Sequence, residues 1–447
     1  MRHLAYLLIG DPDPDSALSR SEALTEQGYR CIQASDAHTL LALANSRKPD
    51  VILLGPFAAP VDSTQIVSAL KSADATQNIP IVLTDAALDG SSLEGFRDAG
   101  ADDLLPPDDD LEELIARLPR LSRSSVMFSE LQRRVKTAAE FGVDIDPRQF
   151  RRGYPEEPQV IAVAQNGNHL TELGQTLNES GLHCIPEVSP FRAADRLDEG
   201  RFDAAVIAID EGDDLSRVQY LCAHIRNNPR LFNLPTLVLS NGRSNRVDMD
   251  LYRGGAAIVL PASAKPALLS TYIHMLVNRQ RLRWTMRDPY KATLKQKTAD
   301  KTGVAYSEAF WNAHLPRCVA AAQERGSNLA LGYIDVPTLP RIREEFGEEN
   351  AEILAHQLAD WITGMTRIED TVARVGPDAF AILLPETPEH EANRVVQRII
   401  GILHSSEFHL GEEVMQVIHA WAEGGVAGLQ EGDNAASLLA RAKALAT

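Results

Sequence analysis

Short apolar runs alternate with amphipathic stretches along the first two thirds of the chain. Leu4 to Ile9 is a continuous apolar run that stops at Gly10-Asp11-Pro12, and it reads as a buried strand. Asp15 to Gly28 has helical periodicity and stops at a glycine. Pro49 to Leu54 and Ile79 to Leu83 read as further buried strands, and a loop rich in Pro and Ala follows the first of them. Leu93 to Gly100 reads as a short helix, Asp103 to Leu105 as a short strand, and Leu111 to Leu121 as a last helix. Strands alternating with helices predict parallel βαβ units in a doubly wound α/β sheet, with function at the carboxyl ends of the strands.

The pattern then recurs. Gln159 to Ala164, Asp203 to Ile209, Leu234 to Leu239 and Gly255 to Leu260 read as strands, with helices over Leu170 to Gly181 and Pro266 to Arg283. This is an internal repeat of about 150 residues. Ser122 to Gly142 reads as a helical extension, and the polar, proline-punctuated stretch after it as a linker. From Asp288 onward the order changes to helix, strand, helix, two short strands around a Gly-Pro-Asp turn, helix and strand, which predicts a ferredoxin-like α+β core. The expected boundaries are therefore a first domain over 1–125, an extension and linker over 126–157, a second domain over 158–285 and a third over 286–447.

Composition narrows the function. The 447 residues hold 44 Lys plus Arg against 62 Asp plus Glu, a net charge of −18. Such a chain repels a phosphate backbone, which excludes a general nucleic-acid binder but not a local basic site for a small phosphorylated ligand. The cysteines Cys31, Cys184, Cys222 and Cys318 are isolated, so neither a zinc site nor a disulfide framework is expected. No apolar run approaches the roughly 18 residues of a membrane helix, and the chain reads as cytoplasmic without membrane insertion. Trp361 and Phe380 read as core, and His404 and His409 as solvated.

Both repeats resemble response-regulator receiver domains, which implies flavodoxin-like folds. Phosphotransfer in that family needs an acid pair, an acceptor Asp, a hydroxyl and a lysine, because metal and lysine neutralise the charge on the transferring phosphoryl group. In the first repeat Asp11 remains beside Gly10, the acceptor position is Gly55, Thr84 stands at the hydroxyl, and Pro106 replaces the lysine. Asp11, Asp13 and Asp62 read as solvated loop acids. In the second repeat no acid pair exists, Ala208 stands at the acceptor, Asp210 lies two residues on, and the lysine position falls near Pro261, with Lys265 opening the last helix. Two such folds without phosphoryl chemistry read as docking and dimerisation surfaces.

The segment "RIEDTVARVGPDAFAILLP" resembles a GGDEF domain, the diguanylate cyclase fold. The signature turn is Gly376-Pro377-Asp378-Ala379-Phe380. Pro377 replaces a glycine, fixing φ and removing an N–H, and Ala379 replaces the second acid. Asp335 matches a metal-site acid, with Pro337 where a second acid usually follows. Arg343 stands at the base-contacting Asn, and Glu352 at the guanine-contacting acid. The family's opening asparagine-arginine run and its terminal lysine segment are missing, and Lys443 lies one helical turn too early to substitute. The resemblance thus implies a catalytically dead homologue, with no catalytic residue, metal or cofactor.

A second site is better preserved. The family's Arg-x-x-Asp pair, five residues before the signature turn, binds the product cyclic di-GMP, and here Arg367 and Asp370 match in type and spacing. Arginine can fork onto guanine O6 and N7, and a carboxylate can accept from its N1 and N2 donors. Arg394 and Arg398 lie four apart on one helix face, and Arg398 matches the family's second product-site arginine. Arg226 and Arg230 are candidates for a third arginine from the neighbouring receiver. The architecture as a whole resembles the PopA family of cell-cycle effectors. That resemblance implies a cyclic di-GMP receptor recruited to a cell pole, homodimeric through its receivers, that helps a protease adaptor deliver a substrate protein to ClpXP. In that family the first receiver's acceptor is tied to localisation, from which Gly55 departs. The alternatives are a weakly active or regulatory cyclase and a ligand-free interaction scaffold.

Overall fold

The structure, a computed structural model, describes residues 3–85, 90–105, 111–146, 156–228, 230–231, 233–241, 245–410 and 417–446. The chain forms two compact units, one of Ala5–Ser125 with Arg152–Thr285, the other of Met1–Leu4, Val126–Arg151 and Met286–Thr447. No described helix is long and apolar enough to cross a membrane.

The first unit holds two five-stranded sheets. One contains β1 (Tyr6–Gly10), β2 (Arg30–Ala34), β3 (Val51–Leu54), β4 (Ile81–Leu83) and β5 (Asp103–Leu104), interleaved with α1 (Pro14–Glu26), α2 (Ala37–Arg47), α3 (Ser63–Ser72), α4 (Gly90–Ala99) and the start of α5 (Leu111–Glu140). The other contains β6 (Gln159–Ala164), β7 (His183–Glu187), β8 (Ala204–Ile209), β9 (Thr236–Ser240) and β10 (Ile258–Pro261), with α6 (Gly167–Glu179), α7 (Pro190–Glu199), α8 (Leu215–Asn227), α9 (Asn245–Gly254) and the start of α10 (Pro266–Thr293). The strand orders are β2-β1-β3-β4-β5 and β7-β6-β8-β9-β10, with parallel pairings throughout. Both are the flavodoxin-like order 2-1-3-4-5.

Strands β1, β3 and β8 are buried along their whole length, as their unbroken apolar runs require. The edge strands β2 and β7, and the helices α2, α3, α7, α8 and α9, escape sequence reading. Each edge strand has exposed positions, so its sequence carries no apolar run. An aspartate repeats in both sheets: Tyr6 N–H donates to Asp50 Oδ2 at 2.8 Å, and Gln159 N–H to Asp203 Oδ2 at 2.8 Å. Within this unit the first sheet's β5–α5 side is taken by the second. Tyr272 Oη donates to the Leu104 carbonyl at 2.7 Å, and buried Arg117 donates to Asp103 at 3.0 Å and to Tyr252 Oη at 3.1 Å.

The second unit contains α11 (Glu308–Arg325), β11 (Leu329–Asp335), α12 (Thr338–Gly364), β12 (Thr371–Arg374), β13 (Ala379–Pro385), α13 (Glu389–Ser405), the short pair β14 (Phe408–His409) and β15 (Val417–Ile418), β16 (Glu423–Gly428) and α14 (Ala435–Ala444). Its main sheet runs β12-β13-β11-β16, antiparallel throughout, which is the ferredoxin-like arrangement. Gly424 lets α13 sit close, because a Cβ there would lie 2.4 Å from Ile400 Cδ1. Helix α5 does not stop at Leu121 but runs to Glu140, with Glu130, Thr137 and Ala138 fully buried. The stretch read as an extension is therefore largely part of this unit's interior. Most of the linker reading, like Pro106, lies outside the described residues.

Phe380 is fully buried, but Trp361 is 45% exposed and does not belong to the core. It sits near the end of α12 with its ring edge toward Phe408. His404 is half-buried rather than fully solvated: it stacks on the Trp421 indole at 4.6 Å and bonds to Ala422. His409 is exposed. All four cysteines are free.

Candidate functional site

The β12–β13 hairpin presents the Gly376–Asp378 turn, closed by Val375 N–H donating to the Ala379 carbonyl at 3.0 Å. Arginine–carboxylate pairs surround it. Buried Arg374 forks onto Glu352, Nη1 to Oε2 at 2.6 Å and Nη2 to Oε1 at 3.0 Å, and also donates to the Pro377 carbonyl at 2.6 Å. The bonds from Arg374 hold the Glu352 carboxyl below its usual range, although partial burial opposes this. Arg343 donates to Asp378 Oδ1 and, from Nε, to Glu348, each at 2.8 Å.

Asp335 closes β11, opposite Ala379 on one side and Glu423 on the other. Burial, Asp378 and Glu423 push its carboxyl above the usual range. Lys443 acts on it in the opposite direction, and its Nζ lies 5.7 Å from the Tyr333 ring centroid. That ammonium therefore lies in the neighbourhood of Asp335. The approach arises because α14 packs on β11 and β16.

The Arg-x-x-Asp pair lies on the turn between α12 and β12. Arg367 N–H donates to Asp370 Oδ2 at 2.8 Å, and Asp370 N–H to the Arg367 carbonyl at 3.0 Å. Asp370 is thereby only 5% exposed, while Arg367 stands in solvent. Helix α13 buries Val396, Ile399, Ile400 and Leu403, which leaves Arg394 and Arg398 on its exposed face. Arg398 Nη2 donates to the Met365 carbonyl at 3.0 Å, so α13 delivers its guanidinium to the turn of Arg367 and Asp370. Residues that no sequence pattern marked also hold this turn: buried Arg134 donates to the Glu369 carbonyl at 2.7 Å.

Residues 299–446 match the family model described as diguanylate cyclase, GGDEF domain. The C-terminal segment is a GGDEF domain. Over 440 residues the chain is 24% identical to the response regulator PleD of Caulobacter vibrioides, covering 98% of this chain and 94% of PleD. It is 27% identical over 183 residues to the transcriptional regulatory protein KdpE of Mycobacterium tuberculosis, covering 39% of this chain and 80% of that protein. Among solved structures, the FimX GGDEF domain from Pseudomonas aeruginosa is similar at 24% identity and TM-score 0.32, covering 33% of this chain and 91% of that one. The GGDEF domain of DgcB from Caulobacter crescentus, in complex with c-di-GMP, is similar at 18% identity and TM-score 0.32, covering 34% and 85%. Two flavodoxin-like sheets ahead of a segment that matches the GGDEF model, aligned along 94% of PleD, give the chain a PleD-like receiver–GGDEF architecture.

Ahead of the GGDEF domain, neither receiver fold has an aspartate at the acceptor position, and in the first Asp11 occupies the space beside it. Gly55 follows β3 directly, and a Cβ there would lie 2.9 Å from Asp11 Cγ. Asp11 is buried, not a solvated loop acid; it accepts from Ser16 Oγ at 2.8 Å and from Asp13 N–H at 2.9 Å. Asp13 and Asp62 are the N-caps of α1 and α3. Arg20 lies 3.7 Å from Asp11 and donates to Thr84 Oγ1 and to Asp85 Oδ2, each at 2.9 Å. A guanidinium thus neutralises this cluster.

In the second receiver, counting five residues from Asp50 and from Asp203 pairs Gly55 with Ala208, which is buried within β8. Asp210 lies past the strand end, with its Oδ1 2.9 Å from His169 Nδ1; its own N–H donates to Asp213 Oδ2 at 2.8 Å. Arg226 donates to the Arg253 carbonyl, and Arg230 to the Asp198 carbonyl at 2.9 Å, so each is engaged within its own receiver fold.

Proposed function

We propose that this chain is a non-catalytic effector that binds cyclic di-GMP on its GGDEF domain and recruits protein partners. Arg367, Arg394 and Arg398 supply cations for phosphates and guanine edges, and Asp370 supplies a carboxylate beside them. The observation that carries the reading is the Arg398–Met365 bond, because it joins the α13 arginine to the turn of Arg367 and Asp370. Loss of catalysis is supported by the arginine pairs on Asp378 of the signature turn and on Glu352 at the guanine-contacting position, which engage acids that a cyclase would need free for metal and substrate. On this reading there is no cofactor, and cyclic di-GMP is a regulatory ligand.

Receiver folds with Gly55 and Ala208 at the acceptor positions fit docking and dimerisation roles rather than phosphoryl transfer. We extend the proposal to a PopA-like role: a cytoplasmic, dimeric cell-cycle effector, recruited to a cell pole, that assists regulated proteolysis through an adaptor. Calorimetry of the full chain with cyclic di-GMP tests the ligand. Micromolar or tighter binding that Arg367→Ala abolishes supports it, and no heat from the wild type leaves the ligand-free scaffold. The full-length likeness to PleD favours a second reading, a weakly active cyclase. Incubation with GTP and Mg²⁺ decides between the two, since sustained formation of cyclic di-GMP establishes the cyclase.

A further inference from the structure

The GGDEF-domain unit contains one side-chain cluster that the ligand site does not explain. Its centre is Glu130 on α5, which is 0% exposed. Glu130 Oε1 accepts from Arg134 Nε at 3.0 Å and from Thr371 Oγ1 at 3.2 Å, and it lies 2.8 Å from His314 Nε2. Oε2 accepts from Arg133 Nε at 3.0 Å and lies 3.7 Å from Cys318 Sγ. The Arg134 guanidinium lies over the Tyr290 and Tyr306 rings, 4.7 Å and 5.6 Å from their centroids. Thr137 Oγ1 lies 3.0 Å from His314 Nδ1.

A carboxylate this deeply buried survives ionised only when it is paired and hydrogen-bonded. Burial disfavours its charge, yet His314, Arg133 and Arg134 hold its pKa far below the ordinary carboxylate range. Glu130, His314 and Cys318 are close enough together to share one ion. Two guanidiniums already neutralise the carboxylate, however, and burial pushes the Cys318 thiol well up, against the thiolate a metal would need. The cluster is an anchor, not a metal centre.

What it anchors is specific. Arg134 ends on the Glu369 carbonyl, and Thr371 ends on Glu130. Those two residues flank Asp370, whose carboxylate closes the turn onto Arg367 N–H. The backbone on both sides of Asp370 is therefore tied to one helix, α5, far away in sequence.

We propose that Arg134 and Glu130 are positioning residues for the dinucleotide site: the buried part of α5 fixes the Arg367–Asp370 turn and so sets its affinity for cyclic di-GMP. This rests on the reading of that turn as the cyclic di-GMP site. A rigid turn loses less freedom on binding, so loosening it weakens the complex without removing any ligand contact.

The test uses the full chain as wild type, Arg134→Lys and Thr371→Val, with hydrogen exchange of the unliganded protein and calorimetry with cyclic di-GMP. Arg134→Lys keeps a cation beside Glu130 but shortens the reach to Glu369, and Thr371→Val removes one hydroxyl at near-constant volume. In Arg134→Lys, exchange over residues 365–371 should quicken at least tenfold, with α13 and β13 unchanged and affinity at least fivefold weaker. Thr371→Val should move both quantities in the same direction by less. Unchanged exchange at the turn in both variants overturns the proposal, as does uniform quickening across the GGDEF domain, which marks a merely structural role. If wild type binds cyclic di-GMP and the variants bind it equally, positioning fails and the ligand reading stands. If wild type binds none while the turn still loosens selectively, the ligand reading fails, and with it the affinity half of the proposal.

Discussion

Arg343 donates from Nη2 to Asp378 Oδ1 at 2.8 Å, so the acid of the signature turn already has a cation beside it. This pairing pushes the guanidinium's own pKa up and ties α12 to the hairpin. A divalent ion would have to displace it. Saturating Mg²⁺ with GTP should therefore shift the thermal midpoint by less than about 1 °C, because a ligand that does not bind the native state adds no stability. A clear concentration-dependent rise would mean that the pair opens for metal and nucleotide.

Arg398 is exposed, so its truncation tests the ligand site without disturbing the core. Arg398→Ala should weaken cyclic di-GMP binding by about 10-fold to 100-fold, the scale of a lost charge-assisted hydrogen bond. Unliganded stability should change by no more than about 0.5 kcal/mol, as for an ordinary surface substitution. Calorimetry and denaturant titration read the two effects separately. Unchanged affinity would detach α13 from the site.

Asp335 faces Glu423 across the sheet and shares its surroundings with Asp378. Its folded pKa is raised by burial and by both acids, so the folded state holds the proton more tightly than the unfolded chain. Stability therefore falls as pH rises from the ordinary carboxylate pKa through the raised folded value. Asp335→Asn should stabilise the protein by about 0.2–1 kcal/mol at neutral pH, the scale of a relieved cross-strand repulsion. The gain should vanish near pH 3, where the wild-type carboxyl is protonated. Denaturant midpoints at both pH values check this, and equal gains at both would refute it.

Gly55→Asp restores the residue type that a receiver uses as its phosphoacceptor. The new Cβ meets Asp11, so the expected result is a loss of about 1–3 kcal/mol, typical of overpacking, without labelling by acetyl phosphate. Intact-mass analysis and thermal unfolding measure both. Stable phosphorylation of the variant would show that Asp11 and Arg20 move aside easily.

Continuous apolar runs revealed the central strands, because burial on both faces demands them. Edge strands β2 and β7 were hidden, since half-exposed backbone needs no such run. The Arg367–Asp370 turn was legible because its bonds span only three residues. Arg134 and Glu369 stand 235 residues apart, and no local spacing could join them. The same holds for Arg20 with Thr84 and Asp85, and for Lys443 near Asp335, which packing of α14 on the sheet brings together. Trp361 shows the converse error: a large aromatic ring was assigned to the core on residue type alone.

Gly10 and Gly55 of the first receiver act together on what the pocket can hold. A Cβ on Gly10 would lie 1.9 Å from Leu40 Cδ1, as one on Gly55 would crowd Asp11. An acid placed at either position alone collides with a side chain that occupies the volume it would need. An acid pair and acceptor built here therefore require coordinated change at Leu40, Asp11 and both glycines, because each substitution made singly breaks packing that the others leave in place.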